Sequence, residues 1–251
     1  MSRWKAAGIH LLLSIALALA VGALLFFVWY PGPLFAASGG DRLVLILIGI
    51  DIAIGPLLTL VVFRAGKRGL KFDLAVIALL QVAALLYGLH VISAARPAYL
   101  VFAVDRIVAV SANQLEPADL ARAQPGFDRV PWTGPRLAYA RMPTDATASE
   151  EILMSALRGK DLERFPQYYE PYQAQAQQVV AKLRPLAELT GADADTRALV
   201  ERAVARSRTA EAELGWLPLV ARSNDIIALV RRADASIAGY VEVDPWRFAN
   251  E

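Results

Sequence analysis

The sequence has no cysteine and only two histidines, His10 and His90. The first absence excludes disulfides, zinc–thiolate sites, iron–sulfur clusters and thiol nucleophiles, and leaves the compartment open. Both histidines lie before residue 96, so residues 96–251 contain neither His nor Cys. A Ser-His-Asp triad, a Cys-His dyad and a His-bearing metal site are thereby excluded from that region. No GxGxxG or P-loop pattern occurs. Adjacent carboxylates such as Glu150 and Glu151 read as a solvated helix face. The expectation is a chain with no catalytic residues, no metal site and no cofactor.

Charge is also scarce in the first part of the chain. Residues 1–95 hold seven Lys/Arg and three Asp/Glu, whereas residues 96–251 hold 19 and 21. The basic excess therefore belongs to the apolar part, which makes it a topology signal and argues against a nucleic-acid partner. What is abundant is apolar residue: 56% of the chain, with a mean hydropathy of +0.40. That is high for a soluble domain and points to a membrane protein.

Three apolar runs are long enough to cross about 30 Å of hydrocarbon. They are Ala6–Trp29, Leu43–Phe63 and Leu74 to about Ala95. The first is too long for a signal-peptide core. Its nearest small-residue site, "LFAAS", has Phe35 where a small residue is needed, so it reads as a retained anchor. Arg64, Lys67, Arg68 and Lys71 fill the loop between the second and third runs, on the same side as Arg3 and Lys5. The positive-inside rule then places the N-terminus in the cytoplasm and residues 96–251 in the periplasm. The sequence thus predicts two domains, a three-span region over 1–95 and a periplasmic domain over 96–251.

The periplasmic part reads as α+β, with an antiparallel sheet and a helical hairpin. "YLVFAV" and "RIVAVSA" form a strand pair, "RLAYARM" a further strand, and "WLPLVARS", "DIIALVRR" and "AGYVEVD" the closing strands. "PADLARA" starts a short helix with Pro117 in its first turn. "TASE" (Thr147–Glu150) has the capping-box pattern. Residues 172–189 and 195–214 carry apolar positions at helical spacing and make the hairpin. "FPQYYEPY" is aromatic-rich. Phe165, Tyr168, Tyr169 and Tyr172 either cover the domain's own core or form a partner-binding surface.

Asp51 is the anomaly of the second span, since a carboxylate in hydrocarbon costs roughly 2.5–3.5 kcal/mol even on the lenient insertion scale. Depth matching at 1.5 Å per residue pairs it with Tyr87 or His90 of the third span. Pro56 frees the carbonyl of Ile52, and Gln81 lies at a depth to cap it. These five residues, Asp51, Pro56, Gln81, Tyr87 and His90, form either a polar seam joining the spans or a contact for a client membrane helix. No chain of acids continues across the bilayer, which disfavours proton transport.

Several long strings carry a family likeness: "SRWKAAGIHLLLS", "WYPGPLF", "GGDRLVLILIGIDIAIGPLLTLVVF", "KFDLAVIALLQVAALLYGLHVISAARPAYLVFAVDR", "WTGPRLAYARMP" and the closing "VDPW". In them the chain resembles the TfpX/TfpZ-type type IV pilin accessory proteins. The likeness is densest over residues 1–106. It implies a multi-pass inner-membrane protein of a Gram-negative bacterium that assists pilin handling and pilus assembly as a non-enzymatic accessory factor or chaperone. The implied partners are the major pilin, other inner-membrane pilus assembly proteins and membrane lipids. The family supplies no catalytic residues. The alternatives are a membrane enzyme that modifies pilin and a scaffold or sensor.

Overall fold

A run of apolar residues free of Pro and charge can satisfy its backbone in hydrocarbon only as a helix. The computed structural model describes residues 2–40, 44, 50–191 and 193–248, except for the side chains of Ile50 and Asp51. In it the first run is α1 (Arg3–Leu24), continued by a π-helical turn at Leu25–Trp29. Ser2 caps its start, its hydroxyl accepting from the Lys5 N–H at 3.3 Å. A second π turn, Ile50–Ile54, leads into α2 (Gly55–Val62). Pro56 lacks an N–H and its ring crowds the preceding turn, and a wider helix there relieves both problems. The third run is α3 (Leu70–Ala95).

Two helices are long and apolar enough to cross a membrane, Arg3–Trp29 and Leu70–Ala95, with 27 and 26 residues. The expected middle span includes Leu43 and residues 45–49, which lie outside the described residues. Its described apolar helix, Ile52–Val62, is shorter. One cluster of this region joins Val21, Leu25, Trp29 and Tyr30 to Ile92. The Tyr30 hydroxyl donates to the Ile92 carbonyl at 3.0 Å.

The chain folds as two compact units, Met1–Phe35 with Gly39–Ala95, and Ala36–Ser38 with Arg96–Glu251. The second is built on a seven-stranded sheet: β1 (Pro97–Ala103), β2 (Arg106–Ser111), β3 (Arg136–Ala140), β4 (Tyr169–Pro171), β5 (Leu214–Val220), β6 (Ile226–Arg231) and β7 (Ile237–Val241). Their order across the sheet is β4-β3-β1-β2-β5-β6-β7. Every residue of β1 is buried, which explains its unbroken apolar sequence.

The sheet is mixed, which corrects the antiparallel expectation. β1 and β2 form the expected antiparallel hairpin, but β1 runs parallel to β3, and β2 parallel to β5. Each parallel pair is joined by a long connection carrying other elements, and strand identity alone does not reveal such crossovers.

The helical hairpin is also corrected. Residues 172–189 break into a 3-10 turn and two short helices, Ala176–Val180 and Ala187–Thr190. Between them Arg184 forms an isolated antiparallel bridge with Trp216, and Pro185 cannot donate a helical hydrogen bond. The second arm is a helix over Ala194–Ser207, capped by Asp193 and ended by Arg208 at φ +54°. Leu214 belongs to β5 instead. The helix near "TASE" begins earlier, with Asp145 rather than Thr147 as its cap. Leu186, Leu189 and Val200 pack on Trp216, Ile227, Leu229 and Val241 as one core.

Candidate functional site

The second unit contains a cavity of about 380 Å³ between β2 and the ends of two connections. Its floor is Val108–Ser111, and the 3-10 turn Ala112–Gln114 closes one side. Glu163 and Arg164 form a second wall, and Val220, Ala221 and Arg222 a third.

The cavity exists because two neighbouring strands part. β2 pairs with β5 only at Ile107–Leu219 and Val108–Val220. Pro218, just upstream, has no N–H to extend that ladder in its direction. Downstream the chain turns away, because Asp225 accepts from the Ala221 N–H at 2.9 Å and from the Trp246 indole at 2.6 Å. Ser223 and Asn224 donate their N–H groups to the Ala37 carbonyl at 2.8 and 3.1 Å. Among the described residues, Ala109–Ser111 therefore have no strand neighbour on the β5 side.

The Ser111 N–H instead donates to the Gln114 side-chain oxygen at 2.8 Å, within a capping box. Arg164 donates to the Gly159 carbonyl at 2.7 Å. Arg222 is exposed. Burial raises Glu163 above the ordinary glutamate value, helped by Asp161 and opposed by Arg164 and Arg106. The lining thus offers strand backbone, amide groups, two guanidinium groups and one carboxylate. That is chemistry for recognising a chain segment. No group of three or more His, Cys, Asp or Glu placed to hold a metal occurs among the described residues.

Phe165, Tyr169 and Tyr172 are buried at 4%, 0% and 3% exposure, and Tyr168 packs partly buried against the same core. Phe165 and Tyr169 fill the interior with Tyr99 and Phe127, and Tyr172 is buried as well, so these three rings take the core-covering one of their two expected roles. The Tyr169 hydroxyl donates to the Glu163 carbonyl, and Tyr172 donates to the Ala235 carbonyl at 2.8 Å. Burial accordingly raises both phenols well above their ordinary range.

In the first unit the structure brings Gln81 against Gly55, the residue before Pro56. A Cβ built on Gly55 would stand 2.0 Å from Gln81 Nε2. Tyr87 and His90 lie on the exposed face of α3, Tyr87 at 72% exposure. Neither side chain hydrogen-bonds to another described residue. Their expected pairing with Asp51 involves a side chain outside the described residues. One polar contact escaped the sequence reading: His10 Nδ1 lies 2.6 Å from the hydroxyl of Thr59, which is 3% exposed. Depth matching from the basic side would have found it, since each residue sits four positions inside its apolar run.

The chain thus combines two helices long and apolar enough to cross a membrane with a mixed-sheet domain that carries a cavity beside a parted strand. Residues 1–39 match the family model of the fimbrial assembly protein FimB. The chain is 32% identical over 244 residues to the fimbrial assembly protein of serogroup E1 from Dichelobacter nodosus, covering 96% of this chain and 95% of the relative. It is 31% identical over the same length to the serogroup I protein of that organism, with the same coverage of each chain. The protein of serogroups C1 and C2 is 38% identical over 122 residues, covering 47% of this chain and 92% of the relative. No solved structure matches the fold. The chain belongs to the FimB family of fimbrial assembly proteins, in keeping with its resemblance to type IV pilin accessory proteins.

Proposed function

We propose that this protein is a non-enzymatic inner-membrane accessory factor that handles type IV pilin during pilus assembly. The observation that carries the reading is similarity over 96% of the chain to proteins named for fimbrial assembly. On this reading the 1–95 region crosses the membrane three times, with its N-terminus in the cytoplasm, and the sheet domain stands in the periplasm. Two apolar helices of sufficient length support the membrane part, and the basic loop at 64–71 supports the orientation. The major pilin is the partner, touched in its membrane helix by the spans and in its globular head by the sheet domain.

Deletion of the gene, with pilin measured separately in whole cells and in the sheared surface fraction, tests the role. The expected result is a loss of surface pilin, and the whole-cell level then separates pilin stability from assembly. Normal surface pili in the deletion strain would end the proposal. An unchanged pilin mass in that strain excludes the competing reading of a pilin-modifying enzyme.

A further inference from the structure

We infer that the parted edge of β2 receives an added strand: an extended, acidic segment of a partner chain that pairs with Ala109–Ser111 and sets a carboxylate against Arg222. Three independent features of the site converge on this occupant.

The first is backbone. Side chains and backbone groups alternate along a strand, so residues two apart direct their N–H and C=O to the same side. The Ser111 N–H points to Gln114, which lines the cavity. The backbone of Ala109 therefore faces the same way. On this side β2 pairs with β5 only as far as Val108, and the Gln114 amide oxygen occupies the position that a carbonyl of a neighbouring strand would take. A strand edge that lacks a strand neighbour over Ala109–Ser111 and turns the Ala109 backbone toward the opening is a template for strand addition.

The second feature is room. The opening lies inside the sheet, held apart by the Asp225-locked turn, and it encloses about 380 Å³. An extended segment of a few residues fits there, with alternate side chains entering the cavity.

The third is charge. The lining carries Arg164 and Arg222 against Glu163 as its one carboxylate. Arg164 is already engaged by the Gly159 carbonyl. Arg222 is exposed and borders the opening, so it is the guanidinium placed to meet an incoming carboxylate. A basic segment would instead meet two guanidinium groups.

Naming the partner as the globular head of pilin rests on the reading given above; the site itself does not. The test uses the full-length chain in detergent micelles and two probe sets. One is overlapping dodecapeptides covering the major pilin of the same strain. The other is synthetic Thr-Val-Xaa-Val-Thr-Val peptides with Xaa as Glu, Gln or Lys. Binding is read by fluorescence anisotropy, and amide exchange is followed across residues 107–114. The Glu peptide is expected to bind at least about tenfold more tightly than the Lys peptide, the scale of one charge-assisted hydrogen bond. Bound peptide should slow exchange at Ala109, whose N–H faces the opening, since the Ser111 N–H is already held by Gln114. Arg222→Glu should reverse the preference. Asn113→Trp, which fills the cavity, should abolish binding by every peptide.

If saturating peptide never slows exchange at Ala109, or if Arg222→Glu leaves the preference unchanged, the inference is wrong. Binding of the synthetic acidic peptide with no pilin peptide bound would keep the strand site and discard pilin as its occupant. Pilin captured by the chain with no peptide protecting β2 would overturn the strand site while leaving the pilin reading intact.

Discussion

The carboxamide of Gln81 lies directly against Gly55, so a side chain at that position forces Gln81 to move. The contact joins α2 and α3 one residue from Pro56, and a glycine there lets the two helices approach. Replacing Gly55 with Leu should separate them, costing about 1–3 kcal/mol as an overpacked site. Gln81→Ala in the Gly55→Ala background should recover most of the stability lost by Gly55→Ala alone. Thermal unfolding of the full chain in micelles reads both. Additive effects of the two substitutions would show that the contact does not couple them.

Gly215 is a second close approach, in the sheet domain. A Cβ on it would stand 2.8 Å from the Leu183 Cβ and 3.1 Å from the Arg184 carbonyl. The neighbouring Arg184 and Trp216 exchange two backbone hydrogen bonds of 3.0 Å, so the segment cannot retreat without breaking them. Gly215→Ala should destabilise by about 1–3 kcal/mol. Denaturant unfolding followed by tryptophan fluorescence checks it.

The tip of the β1–β2 hairpin holds Val104 at φ +61° with 62% of its surface exposed. A β-branched residue in the left-handed region is strained, by about 1–2 kcal/mol relative to a residue that tolerates it. Val104→Asn should therefore stabilise the protein by up to about 1 kcal/mol. The same unfolding experiment reads the gain as a higher midpoint.

How much of this was legible in the sequence depended on locality. "YLVFAV" and "RIVAVSA" announced β1 and β2 because a buried hairpin needs only apolar runs and a tight turn. β4 was missed because three residues, Tyr169–Pro171, are too few to show a period. The aromatic run around it belongs to the core, which composition alone could not separate from a binding surface. The apolar spacing over 172–189 was real, yet Pro185 and the Arg184–Trp216 bridge won over helix propensity. The cavity had no local signal, because residues 108–114, 163–164 and 220–222 meet only after the parallel crossovers form. In the apolar region, matching polar residues by depth set Gln81 beside Pro56, whose neighbour Gly55 it meets, and, applied to the first span, would have reached His10 and Thr59.

Glu163 gives the domain a pH signature. Its folded pKa is raised above the ordinary 4.5, chiefly by burial. For a raised carboxylate the folded state holds the proton more tightly than the unfolded state. The stability it contributes is fully present below about pH 4.5 and is lost as pH rises through the folded value. Glu163→Gln should flatten that decline and leave the protein more stable than the parent at pH 7. Glu170 runs the other way: its ion pair with Arg141, at 2.5 and 2.9 Å, lowers its pKa, so its contribution is present above about 4.5 and lost on acidification. Unfolding midpoints of the two Gln variants between pH 3 and 8 should separate these opposite slopes.

The proposed handling of type IV pilin requires that both the apolar helices and the sheet domain touch the pilin. The most direct measurement places a photocrosslinking residue singly at Leu58, Leu79, Asn113 and Arg222 of the full-length protein in native membranes. Adducts with the major pilin are expected from at least one position in the apolar helices and from at least one in the sheet domain. Normal expression of all four proteins with no pilin adduct from any of them would contradict the proposed handling.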